Sequence, residues 1–395
     1  MPICFVLGGF LESTLSRDPQ QQQIVWVDVN TLILGKFGVL RLAPDGESPG
    51  PPDGVQLYAT GALGPYVTVP ATLLALQLIP QGYQTRVTWY DWRKTHYQAG
   101  VALAARIRAA VTTADPCTIV GHSAGGIVAR AAWTELGSTG EHNLVRRIVT
   151  LGTPHQGSYE PCITWAGQSQ SLQMILQLNQ QVGSLAWGAA GLVGYQSWTL
   201  DQLRQLTMTW PALYELLPLL DVPAAVSDPN RVGIYTASNW PVGLRPQQAW
   251  LDYSRYQTGP WLRSQESMPP SQVLTCVSGY FSATYSRLGA VNSLGTVDHI
   301  ESAEPGDGIV TRSSAELVTG AAVRVTGAHS DLMLQLVNSG ELRDMILETR
   351  APSPEPPPPE VIPGIVPPQL AGPPLAQAIA PYGWKAGCGV NKCGC

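Results

Sequence analysis

The feature that most restricts how this chain can fold is the pentapeptide GHSAG at residues 121–125. The apolar run 117–120 before it predicts a buried strand, and the small residues 126–133 after it predict a helix. A serine in such a strand-to-helix turn is held in a strained, exposed position, and the flanking glycines remove side chains that would clash there. The spacing therefore predicts that Ser123 is presented as a nucleophile at the end of a strand.

Strand-like apolar runs alternate with helical stretches through the first 150 residues. The predicted strands are 3–7, 85–90, 117–120 and 146–151, and the predicted helices are 97–112 and 124–136. Strand signals return at 273–277 and 322–326, and a helix is predicted near 331–347. This order is typical of an α/β fold whose mostly parallel central sheet is covered by helices on both faces.

The segment 160–273 has a different character, because it holds seven of the twelve tryptophans, many Leu and Gln, and few charges. We interpret it as an inserted cap or lid. Within it, 171–179 predicts an amphipathic helix with Leu172, Ile175 and Leu176 on one face. Packing on the core and a mobile lid both fit that pattern. The predicted organisation is thus a core in two parts, 1–159 and 274–350, interrupted by 160–273 and followed by a tail, 351–395.

The tail is set apart by its composition, since twelve prolines fall between Pro352 and Pro381. Such a segment predicts a disordered or stiffly extended tail. Its last residues contain three thiols and no histidine, too few ligands for a standard zinc site. The other cysteines are predicted to be buried thiols: Cys4, Cys117, Cys162 and Cys276.

Charge and hydropathy exclude several classes of protein. A formal net charge of -5 and a pI near 5.7 provide no basic stripe for a phosphate backbone, so nucleic acid is not expected as a partner. No apolar run is long enough to span a bilayer, and the N-terminus lacks the pattern of a signal peptide. From these features we expect a cytoplasmic location, with transient contact to a membrane surface still compatible with the sequence. The oligomeric state stays open.

A serine nucleophile needs a histidine base and an acid that fixes the imidazole tautomer. In a fold of this kind the three follow one another in the order Ser, acid, His. Asp307 lies in a polar loop, 304–312, and His329 follows the last predicted strand. The sequence therefore predicts Ser123, Asp307 and His329 as catalytic residues, in a chemistry that needs no metal and no cofactor.

Other acidic residues and histidines of the chain fit the roles of acid and base less well. Asp298 and His299 are neighbours, and a tandem pair does not converge easily on one serine. Asp331 is better interpreted as a helix cap. Four remaining histidines are predicted to lie outside the chemistry: His122 pointing away from the serine, His155 in a pocket or turn, and His96 and His142 on the surface.

The oxyanion that develops during acyl transfer needs two backbone N–H donors. Ala124, the residue after the serine, is predicted to supply the first. The glycine-rich turn after the first strand is expected to supply the second, from Phe10 or Leu11.

Several motifs in order resemble the lecithin:cholesterol acyltransferase-like branch of the α/β-hydrolases. The motifs, between Phe5 and about Leu336, are VLGGFL at 6–11, YDWR at 90–93, the serine pentapeptide, LGTPH at 151–155, WPALYELLP at 210–218 and GDGIVTRS at 306–313. The resemblance implies an α/β-hydrolase fold, the triad named above and a cap and lid at about 160–273. It aligns Leu11 with the second oxyanion donor.

From the triad and the resemblance together, we expect a serine hydrolase that cleaves carboxylic esters of lipids. The expected partner is a lipid or another apolar ester. One alternative is a lipid O-acyltransferase that passes the acyl group to an alcohol. A second alternative is a catalytically silent lipid-binding protein. Acyl chain length and head group stay open.

Overall fold

A computed structural model describes residues 1–26, 28, 31, 34–169, 172–173, 175–177, 179–180, 197–219, 231–240, 242–288, 300–317 and 321–348. The tail that the sequence predicts at 351–395, including its terminal cysteines, lies outside these residues. The alternative pair Asp298 and His299 also lies outside them.

Eleven strands are numbered here among the described residues. They are β1 Ile3–Leu7, β2 Ser13–Ser16, β3 Ile24–Trp26, β4 Tyr58–Ala62, β5 Gln84–Thr88, β6 Cys117–His122, β7 Val145–Leu151, β8 Leu274–Gly279, β9 Ser282–Leu288, β10 Ile300–Gly306 and β11 Ala321–Val325.

Twelve α-helices are numbered in the same part of the chain. They are α1 Val69–Leu78, α2 His96–Ala110, α3 Ala124–Ser138, α4 Glu160–Trp165, α5 Leu200–Thr207, α6 Pro211–Glu215, α7 Arg231–Ile234, α8 Gln248–Tyr253, α9 Gly259–Arg263, α10 Arg312–Ala315, α11 Leu332–Asn338 and α12 Glu341–Leu347. Within the described ranges, none of the helices is both long and apolar enough to cross a bilayer.

The central sheet has six parallel strands in the order β11-β8-β7-β6-β1-β5. The strands β1, β6 and β8 are buried along their whole length because helices cover both faces of the sheet, whereas the edge strand β5 is partly exposed. In β1, Phe5 and Leu7 enter the core on one face, whereas Cys4 and Val6 enter the core on the other. The α/β architecture and the six sheet strands are therefore confirmed, with shifts of a few residues at their ends.

Two small antiparallel sheets were not predicted. One joins β2 to β3 and β4 and lies between β1 and β5 in the sequence. The other pairs β9 with β10, directly before Asp307. The strands of the first sheet are three to five residues long, both sheets are irregular in register, and β10 contains a proline. Such strands are formed by pairing with neighbours rather than by a periodic pattern of their own.

The prediction of one continuous helix at 331–347 is wrong. This segment forms two helices, α11 and α12, with Gly340 between them at φ 78°. Glycine adopts that left-handed conformation without steric cost, so the chain turns there and a second amphipathic helix begins.

The insertion joins β7 to β8, which are adjacent in the sheet, and its described residues form helices and turns. Leu172 belongs to the main core, with Ile175 and Leu176 packed against it. Glu215 in α6 accepts the backbone N–H of His96 at 2.5 Å. His96 is fully buried, so the prediction that it lies on the surface is wrong. The carboxylate suits this position because it lies at the N-terminus of α2.

Arg130, in α3, fixes a second contact between the insertion and the sheet domain. Its guanidinium is fully buried and donates to the carbonyl oxygens of Leu262 and Ser267 and to the Ser267 hydroxyl. Burial lowers the pKa of Arg130 to about 10. The side chain is therefore still a cation at neutral pH, and the acceptors around it replace its lost hydration.

We expect Arg130→Met to lower the free energy of unfolding by about 2–4 kcal/mol, because two buried carbonyl groups lose their donor. Arg108→Met is the matched control: Arg108 pairs with Glu141 at 2.7 Å on the surface, and such a pair contributes less than about 1 kcal/mol. Urea denaturation of both variants measures the difference. Equal losses in the two variants would contradict the assigned role of Arg130.

Candidate active site

Ser123 lies between the end of β6 and the start of α3, with φ 53° and ψ -128°. A non-glycine residue pays a steric cost in that conformation, and here the neighbouring glycines permit it. A side-chain carbon on Gly125 would come within 2.5 Å of the Gly8 carbonyl oxygen. The Ser123 N–H donates to the Leu151 carbonyl at 2.8 Å. The turn has the geometry that the pentapeptide predicts, and Ser123 is partly exposed.

Asp307 and His329 form a buried pair. The Nδ1 atom of His329 lies 2.7 Å from Asp307 Oδ2, and the His329 N–H donates to the Asp307 carbonyl at 3.0 Å. The other carboxylate oxygen accepts the N–H groups of Ile309 and Val310 at 3.0 and 2.7 Å. Because Asp307 is fully buried and held at both oxygens, it fixes His329 in the tautomer that carries its proton on Nδ1.

Gly152, which follows β7, provides the space for this pair. Its φ is 57°, and a side-chain carbon there would lie 2.7 Å from Asp307 Oδ2 and 3.1 Å from His329 Nδ1. Both the backbone conformation and the clearance therefore require glycine at this position. The contribution of the LGTPH motif at this point is therefore the space left by Gly152, and not a reactive side chain.

The serine turn, the Asp-His pair and the turn after β1 meet at the carboxyl edge of the sheet. The Nε2 atom of His122, next to Ser123, lies 2.9 Å from the His329 carbonyl oxygen. Gly9 lies on the opposite side, where an added side-chain carbon would be 2.6 Å from the Ser123 Cβ. The structure therefore places Ser123, Asp307 and His329 at the same edge of the sheet, with Asp307 in contact with His329 and with the residue before Ser123 in contact with the His329 backbone.

Residues 9–12 form a tight turn, in which the Glu12 N–H donates to the Gly9 carbonyl at 3.3 Å and Leu11 has φ 66°. The Gly9 N–H donates to Glu12 Oε2 at 2.5 Å, so it is already occupied. In the described part of the chain, neither the Phe10 nor the Leu11 N–H has a partner. Both remain candidates for the second oxyanion donor, beside Ala124, whose N–H at the first position of α3 has no acceptor within the helix.

The YDWR motif supports that turn. The Tyr90 hydroxyl donates to the Gly8 carbonyl at 3.1 Å, and the Phe10 ring meets the buried Trp92 ring edge-on at 5.3 Å. Trp26 Nε1 donates to the Leu11 carbonyl at 2.9 Å. These contacts hold the peptide groups on either side of the two that could face an oxyanion.

An apolar wall lies against the same turn. Ala124 and Ile127 of α3 pack with Leu216, Leu219 and Leu262 of the insertion, and Phe10 and Trp261 close the group. A cavity of about 240 Å³ adjoins it, lined by Leu219, Tyr235, Ser254, Arg255, Tyr256, Gly259, Pro260 and Arg263. The insertion therefore packs buried apolar side chains against the start of α3, and Phe10 and Trp261 are the partly exposed members of this group.

His155 lies in the core rather than at the reaction centre. Its Nε2 is 3.0 Å from the Thr150 hydroxyl, and its Nδ1 is 3.4 Å from the Arg130 guanidinium. Burial, with the charge of Arg130, holds the pKa of His155 well below its usual value, so the ring is neutral.

The sequence reasoning missed one pair of residues at the site, Glu12 and His122. The Nδ1 atom of His122 lies 3.0 Å from Glu12 Oε1, and both side chains are largely buried. The available signal was an acidic residue three positions after Gly9, which does not by itself identify its partner 110 residues away.

Comparison with known proteins places this geometry in a fold class. Residues 105–183, about a fifth of the chain, match the family model described as PGAP1-like alpha/beta domain. A chain of the Tle4-Tli4 complex superposes with a TM-score of 0.51 at 12% identity, covering 88% of this chain and 98% of that chain. The chain has an α/β-hydrolase fold.

Other α/β-hydrolase-fold structures are more distant in shape. The mature lipase BlEst2 of Bacillus licheniformis has a TM-score of 0.40 at 16% identity, with 88% of this chain and 91% of that chain covered. EstA from Clostridium botulinum has a TM-score of 0.40 at 11% identity, with 89% and 88% covered. No curated protein matches the chain.

We expect Gly152→Ala to displace the Asp307–His329 pair, because the added methyl group meets both side chains. The matched control is Gly140→Ala: Gly140 also has positive φ, but nothing lies within 4 Å of an added carbon. Both variants carry backbone strain of about 1–3 kcal/mol, measurable as a lower melting temperature. Only Gly152→Ala should shift the low-field NMR resonance of the His329 Nδ1 proton. An unshifted resonance in that variant would contradict the role of Gly152.

Proposed function

We propose that this protein is a serine hydrolase that cleaves carboxylic esters of lipids, with Ser123 as nucleophile, His329 as base and Asp307 as the acid that orients the base. The observation that carries the proposal is the buried Asp307 carboxylate, 2.7 Å from His329 Nδ1, next to a partly exposed serine in a strained strand-to-helix turn. The pairing leaves Nε2 of His329 as the acceptor for the serine proton.

In the first half of the reaction, His329 Nε2 takes the proton of the Ser123 hydroxyl as its oxygen bonds to the ester carbonyl carbon. The carbonyl oxygen becomes an oxyanion, which accepts hydrogen bonds from the Ala124 N–H and from the N–H of Phe10 or Leu11. When the intermediate collapses, the bond to the alcohol oxygen breaks. His329 returns the proton to that oxygen, and the acyl group stays on Ser123.

In the second half, water or an alcohol attacks the acyl-enzyme, and His329 again moves the proton. We propose that water is the main acceptor. Ser123 is partly exposed, which supports access of water to the ester carbon. Acyl transfer would require an alcohol to bind well enough to outcompete water at the same acyl-enzyme.

An acyl chain is the substrate group that best fits the apolar wall. Leu219 and Leu262 pack on Ala124, directly after the nucleophile, and the partly exposed members of the group are Phe10 and Trp261. We propose that an acyl chain meets the group at these two rings, where it would lie next to the oxyanion turn. Burial of apolar surface stabilises a bound lipid by about 25 cal/mol per Å².

We further infer membership of the lecithin:cholesterol acyltransferase-like branch. The support for this inference is that each motif of the resemblance has its own structural role in the candidate active site. Residues 6–11 form the oxyanion turn, Tyr90 holds that turn, Gly152 gives clearance to Asp307, and 306–313 carries Asp307 itself.

The proposal is tested by covalent labelling. We expect a fluorophosphonate probe to label the wild-type protein and to leave Ser123→Ala unlabelled, because only the activated serine oxygen attacks phosphorus. Asp307→Asn should lower ester turnover by roughly a thousand- to ten-thousandfold, through loss of the reactive tautomer. Asp331→Asn, close to His329 but outside the pair, is the matched control. An unlabelled wild type would mean that the protein is a silent lipid binder, and the larger loss in Asp298→Asn would mean that the acid is misassigned.

We also expect long-chain esters to be turned over at least as well as acetyl esters, because the apolar wall can stabilise only a chain long enough to reach it. A phospholipid labelled in its acyl chain, incubated with excess long-chain alcohol, sterol or diacylglycerol, measures the acceptor at the same time. Label mainly in free fatty acid supports hydrolysis, and label mainly in a new ester identifies an acyltransferase. Strict preference for two- or four-carbon acyl groups would contradict a lipid substrate.

A further inference from the structure

Both ring nitrogens of His122 face groups that can only accept hydrogen bonds. Nδ1 lies 3.0 and 3.1 Å from the two oxygens of the Glu12 carboxylate. Nε2 lies 2.9 Å from the backbone carbonyl oxygen of His329. A neutral imidazole has one N–H donor, whereas the imidazolium has two. The geometry around His122 is therefore that of a protonated histidine.

The three residues in this chain of contacts belong to three separate parts of the site. Glu12 ends the turn that carries Phe10 and Leu11, and its carboxylate also accepts the Gly9 N–H. His122 ends β6, directly before Ser123. His329 carries the proposed base. Their contacts span 110 and 207 residues of sequence, so they add a direct link between the turn after β1, the serine turn and the loop of His329 to the pairing of β1 with β6.

We propose that protonated His122 is a positioning residue, which holds the oxyanion turn through Glu12 and the loop of His329 through its carbonyl in register around Ser123. This proposal rests on the proposed function, since the register that matters is that of a serine hydrolase. His122 itself need not touch the substrate.

The surroundings of His122 favour its charge. Burial alone lowers the pKa of His122, but the Glu12 carboxylate, the hydrogen bonds to Glu12 and His329, and the charge of Asp307 raise it to about 8. In the same way, burial raises the pKa of Glu12, and the charge and hydrogen bond of His122 outweigh it and lower that pKa. The titratable groups that face this pair are Tyr66, Tyr90, Asp307 and His329.

Deprotonation of His122 would weaken one of its two contacts before the other. The neutral form that keeps its proton on Nε2 would point a lone pair at the Glu12 carboxylate, which is repulsive. The neutral form that keeps it on Nδ1 preserves the contact with Glu12 and leaves the His329 carbonyl without its donor. Deprotonation of His122 therefore releases the loop of the base first, while the oxyanion turn keeps its partner.

The sign of the pH dependence follows from the direction of the shift. The folded-state pKa lies above the ordinary value of 6.5, so the contribution of His122 to stability is complete below about pH 6.5. It is lost as the pH rises through about 8. Turnover that depends on the contacts of His122 with Glu12 and with the His329 carbonyl should fall over the same interval.

Two variants test this in the full-length protein. Glu12→Gln keeps the shape but removes the charge and one of the two acceptor oxygens, so its alkaline loss of kcat should begin at least one pH unit lower than in wild type. His122→Gln can donate only from one terminus, and at pH 7 its kcat should fall roughly ten- to hundredfold with KM nearly unchanged. His142→Gln is the control, because His142 stacks on Trp133 away from the site and should behave as wild type.

A second readout does not depend on turnover. Ring ¹⁵N NMR of histidine-labelled protein, with His122 assigned from the signal lost in His122→Gln, should show both ring nitrogens protonated at pH 7 and a titration near pH 8. A neutral His122 ring at pH 7, or an unchanged alkaline profile in Glu12→Gln, would overturn the proposal. Should wild type fail to react with fluorophosphonate, the proposed function fails, whereas the NMR titration still decides the state of His122.

Discussion

The conformation of Ser123 is the constraint on which the rest of the site depends. β6 lies inside the sheet, between β1 and β7, so the chain must leave a fully paired strand and enter α3 within one residue. That turn is possible only where neighbouring backbone can approach closely, as Gly8 does at Gly125. Its consequence is that the ends of β1 and β7 are drawn against the serine, and with them the oxyanion turn and Gly152.

Buried charge at this edge is handled by hydrogen bonds rather than by exposure to water. Arg130 is surrounded by carbonyl and hydroxyl acceptors, His122 by a carboxylate and a carbonyl, and Asp307 by two N–H groups and an imidazole. A buried ion pair adds little net stability compared with apolar packing of the same volume. Such groups instead define geometry, since each hydrogen bond fixes the position of one segment of the chain relative to another.

The parts of the fold that the sequence predicts are those with local, repeated signals. Strands buried on both faces are recognised as apolar runs, and the glycines at 121 and 125 predict the turn between them. The buried position of His96 could not be predicted in this way, because it depends on Glu215, a residue 119 positions away in the insertion. The same holds for Glu12 and His122: each is an ordinary polar residue until the sheet order brings β1 next to β6. Nor does any local pattern separate Phe10 from Leu11 as a donor, because both N–H groups belong to one turn.

Apolar side chains of the segment 160–273 pack directly against the residues proposed to form the oxyanion hole. Leu219 and Leu262 pack on Ala124, and Phe10 borders the same apolar group. The apolar group that we propose to contact an acyl chain is thus also the support of the peptide groups proposed to stabilise the oxyanion. Binding energy gained along the chain can then be used to hold those donors in place, which is how contacts remote from the reacting bond raise turnover rather than only affinity.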